Sequence, residues 1–152
     1  MSAADYTASL GLPDPAHQPE VYSGVLSKRL IAWIVDATIV AILAGLALPF
    51  TAFVGVLFFP AMMLVIGFFY RWWTIAGTGA TWGMRLMAVE LRNANRQKLD
   101  SGEAFLHTLG FTVSITVAPL QLVSIVLMLL SDRRQGLTDM VMNTAMVNRL
   151  AR

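Results

Sequence analysis

The hydrophobic pattern divides the chain into three long apolar segments separated by polar ones. The first, about residues 30–48, follows Lys28 and Arg29 and reads LIAWIVDATIVAILAGLAL. A helix crossing a ~30 Å hydrocarbon core takes roughly 20 mainly apolar residues, so this segment predicts a membrane-spanning helix. Pro49 and Thr51 mark a short uncharged turn, and the second segment, about residues 51–70, predicts a second span interrupted by Pro60. A proline inside a helix removes a backbone donor and commonly kinks it. Two spans joined by a tight turn form an antiparallel hairpin with both open ends on one side. The sequence FFYRWWT places Tyr70, Trp72 and Trp73 around Arg71, the pattern of an interfacial aromatic and basic belt. The third segment, about residues 103–130, is long for one crossing and carries Pro119 past its middle. It predicts either one kinked, tilted span or two shorter helices broken at Pro119.

The polar stretches complete the architecture. Residues 1–24 hold Pro13, Pro15 and Pro19 with Asp5, Asp14 and Glu20 and show no helical repeat of apolar positions, which predicts a disordered tail. Residues 74–102 form a soluble connection. Within it, apolar residues alternate with Arg85, Glu90 and Arg92 in a weak strand-like period, Asn93–Asn95 suits a turn, and Gln97–Leu99 suits a short return strand. Asp100 or Ser101 suits a helix cap, with Glu103 in the first turn. After Arg133 and Arg134, Met142–Val147 suits a last strand, with Met87–Leu91 as a possible partner. The expected fold is therefore an all-α membrane protein: a bundle of three to four transmembrane or re-entrant helices with a short β-like hairpin in the loop between the second and third segments.

Composition agrees with this pattern. Of the 152 residues 57% are hydrophobic and 13% charged, and the mean hydropathy is +0.65. The net charge of +2 comes from basic residues beside apolar segments, which suits lipid headgroups and gives no separate basic face for nucleic acid. There is no cysteine, which excludes disulfides, thiolate catalysis and cysteine metal sites. The first 24 residues contain no apolar core of a cleavable signal, so the first span is expected to act as its own targeting signal. The positive-inside bias of Lys28, Arg29, Arg71, Arg85, Arg92, Arg96 and Lys98 predicts a cytoplasmic N-terminus and 71–102 loop.

Asp36 is the main candidate for chemistry. From Leu30 to Tyr70 it is the only group charged at neutral pH. Lys28 and Arg29 can return their charges to the headgroups, but a carboxylate about two turns, or ~10 Å, further along the helix cannot. Such a group is neutralised, paired or facing water, and serves either as an ion or proton site or as a docking element. Direct pairing with Arg29 within the helix is disfavoured, because the arginine side chain leans toward the N-terminus. Arg29 is expected to meet Asp139 or Asp132, and Asp36 to meet Gln121 or His107. Asp139 can alternatively cap a helix or pair with Arg85. His107, Ser114 and Gln121 are spaced by seven and share one helix face, which is either a packing face of small and hydroxyl residues or a solvated lining. His107 is also the residue whose charge can change near neutral pH.

Three segments in order carry a resemblance: Arg29 with Asp36 in the first span, then GATWGMRLMAVELRNANRQKL, then SDRRQGLTDMVMNTAMV. Together they resemble the RDD family of small prokaryotic membrane proteins, named for one arginine and two aspartates. The likeness spans residues 25–149 and implies one membrane domain after the tail. By the resemblance, Arg29 is the arginine and Asp36 the first aspartate. Asp139 is the second, and Gly79, Thr81, Gly83 and Arg85 match the family's Gly-x-Thr-x-Gly-Lys/Arg element. Where relatives often carry arginine early in the third segment, this chain has His107. The resemblance implies location in a prokaryotic inner membrane and suggests transport of an unidentified ligand.

An enzyme is not expected. His17 and His107 stand far apart with no carboxylate at a metal-like spacing, so neither a zinc motif nor another metal site is present in the pattern. No nucleophile elbow, phosphate-binding lysine loop or dinucleotide fingerprint occurs, and no cofactor is expected. Two classes remain: a transport protein for a small ion or solute, acting as a homo-oligomer or with a partner membrane protein, and a non-transporting scaffold that docks proteins.

Overall fold

A computed structural model describes residues 11–149. Helix α1 (Val25–Ala47) is 23 residues long, about 35 Å at 1.5 Å per residue. Two 3-10 turns, Leu48–Thr51 and Val54–Phe58, carry the chain round, and Ala52 and Phe53 between them take left-handed conformations. Helix α2 (Phe59–Thr78) returns antiparallel to α1. Pro60 lies in its first turn, where its absent N–H would have no helical acceptor, so it starts the helix and does not interrupt it. The second helix thus begins later than expected and continues through Arg71 to Thr78, which moves the start of the soluble connection past residue 74.

Gly79, at φ 76°, ends α2. Helix α3 (Trp82–Leu86) follows, capped by the Thr81 hydroxyl, which accepts from Met84 N at 3.2 Å. Strand β1 (Val89–Arg92) leads to a turn in which Asn93 N donates to Gln97 O at 2.9 Å. Asp100 and Glu103 form the expected capping box of α4 (Ser101–Thr116). Helix α5 (Ala118–Leu130) begins with proline in its first turn and is bent 113° from α4. The third segment is therefore a broken pair, with Val117 in an extended conformation at the break. The Ser114 hydroxyl donates across the bend to Gln121 Oε1 at 2.9 Å. Helix α6 (Leu137–Met142) and strand β2 (Ala145–Asn148) complete the fold.

The β1 strand forms, and its partner is β2, antiparallel, with Glu90 opposite Val147 and Leu91 opposite Met146. This is the pairing suggested by Met87–Leu91 and Met142–Val147; Gln97–Leu99 forms no strand. The described part of the tail, residues 11–24, also differs from the expected disorder. Leu12, Val21 and Tyr22 are buried with Ala145 and Val147. The Tyr22 hydroxyl donates to Pro13 O, and Arg96 Nε to Gly11 O. Prolines there fix a packed turn and a 3-10 helix, Pro19–Val21. Residues 1–10 lie outside the described part.

The core occupies one end of the bundle. Val25, Ala32, Ile75, Met84, Leu91, Leu99 and Met146 pack where helix ends, α3 and the sheet meet. The other end and the flanks expose Leu46, Phe50, Phe53, Leu57, Leu122 and Leu130. Water would be a poor solvent for so continuous an apolar surface, and lipid is a good one. Two helices, α1 and α2 with their flanking turns, are long and apolar enough to cross a membrane, and the bent α4–α5 pair supplies a third segment. The protein is a multi-helix membrane protein.

Candidate functional site

Three of the candidate residues meet at one place. Asp139 lies at the third position of α6, where its Oδ2 accepts from Gly136 N at 3.0 Å and from Arg29 Nη1 at 2.7 Å. Its Oδ1 accepts from His107 Nε2 at 2.7 Å and from the Thr144 hydroxyl at 3.3 Å. Four donors thus converge on a carboxylate that is 1% exposed. Burial alone would raise the Asp139 carboxyl, but the Arg29 guanidinium and the His107 hydrogen bond outweigh it. Together with Gly136 N–H they hold it well below the usual carboxylate range. Asp139 caps α6 and pairs with Arg29 at the same time, so two of the alternatives read from the sequence hold together. His107 Nδ1 is buried without a partner among the described residues. A proton there would be a buried donor with no acceptor, so the geometry assigns the neutral ring with its proton on Nε2.

Asp36 forms a second, separate cluster. Its Oδ1 accepts from the Tyr70 hydroxyl at 2.7 Å and Gly83 N at 2.9 Å, and its Oδ2 from the Thr81 hydroxyl at 2.5 Å. Neither Gln121 nor His107 reaches it: Gln121 is held by Ser114 and His107 by Asp139. The expectation of a partner from the third segment fails because the hairpin brings α2 and the start of α3 against α1 instead. Gly83 explains part of the Gly-x-Thr-x-Gly element. A side-chain carbon there would meet Ala32 O and lie 2.8 Å from Asp36 Oδ1, so only glycine lets α3 sit on α1 with its N–H aimed at the carboxylate. Thr81 is the other part, capping α3 with one lone pair and donating to Asp36 with its proton.

The remaining candidates are elsewhere. Arg85 is exposed and donates to Thr78 Oγ1 at 2.6 Å, away from Asp139. Asp132 is exposed and lines an open groove with Asp14 and Arg134. It does not pair with Arg29.

The residue that sequence reasoning missed is Arg71. Placed by its neighbours in the aromatic belt, it instead points inward and is 9% exposed. Its guanidinium carbon lies 4.0 Å from the Phe111 ring centroid on α4, a cation–π contact. Its Nε has no hydrogen-bond partner, and no carboxylate among the described residues forms an ion pair with it. The surrounding charges are Asp36, Arg29 and Asp139. Of the belt's other members, Trp73 is 83% exposed and Trp72 Nε1 donates to Ser101 O, whereas Tyr70 turns inward to Asp36. The available signal was periodicity: Thr74 and Ile75, three and four residues on, are buried with Arg71.

Arg71 borders a cavity of about 390 Å³ between α1, α2 and α4, which also touches Asp36, Tyr70 and Thr81 at its polar end. Towards the other end the lining is mainly apolar, with Val40, Leu64 and Ile115 beside Thr116. Among the described residues no group of three histidines, aspartates or glutamates is arranged to hold a metal ion.

The arrangement of an arginine at the head of α1, an aspartate inside it and a second aspartate on α6 accords with the comparison with known families. The RDD family matches residues 24–143. The chain belongs to the RDD family. No curated protein and no solved structure matches it. Within this RDD protein the three residues singled out in the sequence divide between two clusters. Arg29 and Asp139 pair directly, while Asp36 binds Tyr70, Thr81 and Gly83. The small residues of the third segment are explained by packing. Gly110 faces Thr138 of α6, and the Ser124 hydroxyl accepts from Leu137 N at 3.0 Å.

Proposed function

We propose that this RDD protein is a transport protein, or the subunit of one, that takes a small solute into the cavity between α1, α2 and α4. The observation that carries the reading is Arg71, a buried residue whose Nε has no acceptor, facing a cavity with Asp36 at its rim. Buried charges are ordinarily paired, and an ionisable residue at membrane depth marks a solute or ion path by default. A volume near 390 Å³ falls among small-molecule pockets. The reading includes a prokaryotic inner membrane, a cytoplasmic N-terminus and connection 79–100, and assembly of several copies, since one small bundle offers little enclosed path. No catalytic role is proposed.

A scaffold reading is favoured by a different observation: Asp36 and Asp139 already receive three and four hydrogen bonds from within the chain. Such saturation suits fasteners between helices. Proteoliposomes separate the two. Flux of sodium, potassium, protons or octanesulfonate above that of empty vesicles, abolished by Gly67→Leu in the cavity wall, is expected for a transport protein. Gly67 is chosen because an added carbon there makes only ordinary contact with Val40, at 3.5 Å. Absence of flux for all four probes overturns transport and leaves the scaffold.

A further inference from the structure

The geometry points to a binding site for a singly charged oxyanion carried on an apolar body, with the anion on Arg71 and the apolar part along α1 and α2. The inference rests on the cavity being the solute site and names the class of solute. Asp36, the acceptor nearest in charge, is already engaged by Tyr70, Thr81 and Gly83, so it does not take up the hydrogen-bonding capacity of Arg71. The buried Nε of Arg71 has no acceptor, and Phe111 covers one face of the guanidinium plane. Stacking leaves the in-plane N–H groups as the reactive edge, the edge that grips carboxylate, sulfonate or phosphate oxygens in a forked pair. A cation would find at the same end an aspartate whose two oxygens are already occupied by donors, beside a positive charge. A neutral molecule would leave Arg71 as it is.

The rest of the cavity selects the body. Its wall away from Arg71 is formed mainly by Val40, Leu64, Phe68 and Ile115, together with Thr112 and Thr116, whose hydroxyls donate to carbonyls of their own helix. Leu64, and Trp33 beside the polar end, are also exposed on the outer surface, 36% and 50%. The cavity lining therefore continues onto the apolar outer surface, the one that faces lipid tails, and opens there. An anion with an apolar tail can enter along that opening with its tail remaining in apolar surroundings. The headgroup phosphate of an anionic lipid and a free amphiphilic anion share this chemistry.

Native mass spectrometry of the full chain in a non-ionic detergent tests the site, with folding of each variant checked by thermal melting. Octanesulfonate, octyltrimethylammonium and octanol compare head charges on equal tails, and phosphatidylglycerol is compared with phosphatidylcholine. Octanesulfonate is expected to bind in preference to the other two, and Arg71→Gln to weaken it roughly tenfold or more, with Arg71→Lys intermediate because it keeps the charge without the fork. Gly67→Leu, which fills the cavity and leaves Arg71 in place, should also remove binding. Should Arg71→Gln fail to fold, head-charge selectivity and Gly67→Leu decide the matter. Retained phosphatidylglycerol that octanesulfonate displaces identifies a lipid headgroup as the source, and octanesulfonate binding without lipid retention identifies a free anion. Equal binding of the three head groups, binding unchanged in folded Arg71→Gln or in Gly67→Leu, or no binding of either anion overturns the inference. Flux of cations without anion selectivity would overturn this inference and leave transport standing; anion binding without flux would do the reverse.

Discussion

Arg29 Nη1 and Asp139 Oδ2 stand 2.7 Å apart across 110 residues of sequence, tying the second turn of α1 to the first turn of α6. The pair is shielded on both sides, with side-chain exposures of 13% and 1%. Since α6 follows the α4–α5 pair, this contact also closes the bundle. Removing one partner of a shielded pair leaves the other charge uncompensated, at a cost of about 3–5 kcal/mol. Asp139→Asn should be no rescue, because all four groups around this carboxylate are donors and an amide replaces one acceptor oxygen by a further donor. The expected result is a large fall in melting temperature in detergent, with Asp139→Asn close to Asp139→Ala. Wild-type melting of Asp139→Asn would show the pair to be dispensable.

The same carboxylate sets an acid limit. Its pKa is lower folded than unfolded, so the folded state binds fewer protons and the pairing stabilises the fold above the unfolded value, about 3.9. That contribution is lost progressively as pH falls from there towards the depressed folded value. Melting temperature should therefore decline below about pH 4 in the wild type, and the decline should be shallower in Asp139→Asn. Equal slopes in the two proteins over that range would assign acid sensitivity to other carboxylates.

His107 supplies the second fixed donor to Asp139. Leucine at this position keeps bulk and donates nothing to the carboxylate. His107→Leu should destabilise by roughly 1–3 kcal/mol, the range for leaving one buried hydrogen-bonding group without its partner. His107→Gln should recover part of it through its amide N–H. Unaltered unfolding of His107→Leu in chemical denaturant would make the contact incidental.

Much of this was legible in the sequence, for reasons that differ between elements. The spans were visible because bilayer thickness imposes a length and an apolar composition on each of them. Arg29–Asp139 was legible because an arginine at a helix mouth needs an acceptor at its own depth, and Asp139 ends up there. The partner of Asp36 was not, since it depends on where the chain between α2 and α3 folds back, and that is set by close approach at Gly83 and by no periodicity. Arg71 was hidden by its neighbours: Tyr70, Trp72 and Trp73 give the pattern of an interfacial belt whichever way the arginine turns. The packed segment 11–24 was missed because proline-rich composition reads as disorder, while its few apolar residues, Leu12, Val21 and Tyr22, all find the sheet.

The bend at Val117 makes a prediction about sidedness. Helix α4 carries the chain away from His107, yet by Asp139, nine residues past the end of α5, the chain is back in contact with His107. The Ser124 contact with Leu137 N shows the return already under way in the middle of α5. An angle of 113° between the two helices is far from the gentle kink of a single crossing, so the third segment should enter and leave by the same face. Cysteines introduced one at a time at Gln97 and Asp132, both exposed, can be labelled in intact cells and in inverted vesicles with a membrane-impermeant maleimide. Both should react from the same side, and Phe53→Cys, at the far turn between α1 and α2, from the opposite one. Labelling of Gln97→Cys and Asp132→Cys from opposite sides would mean that α4 and α5 together cross the membrane once.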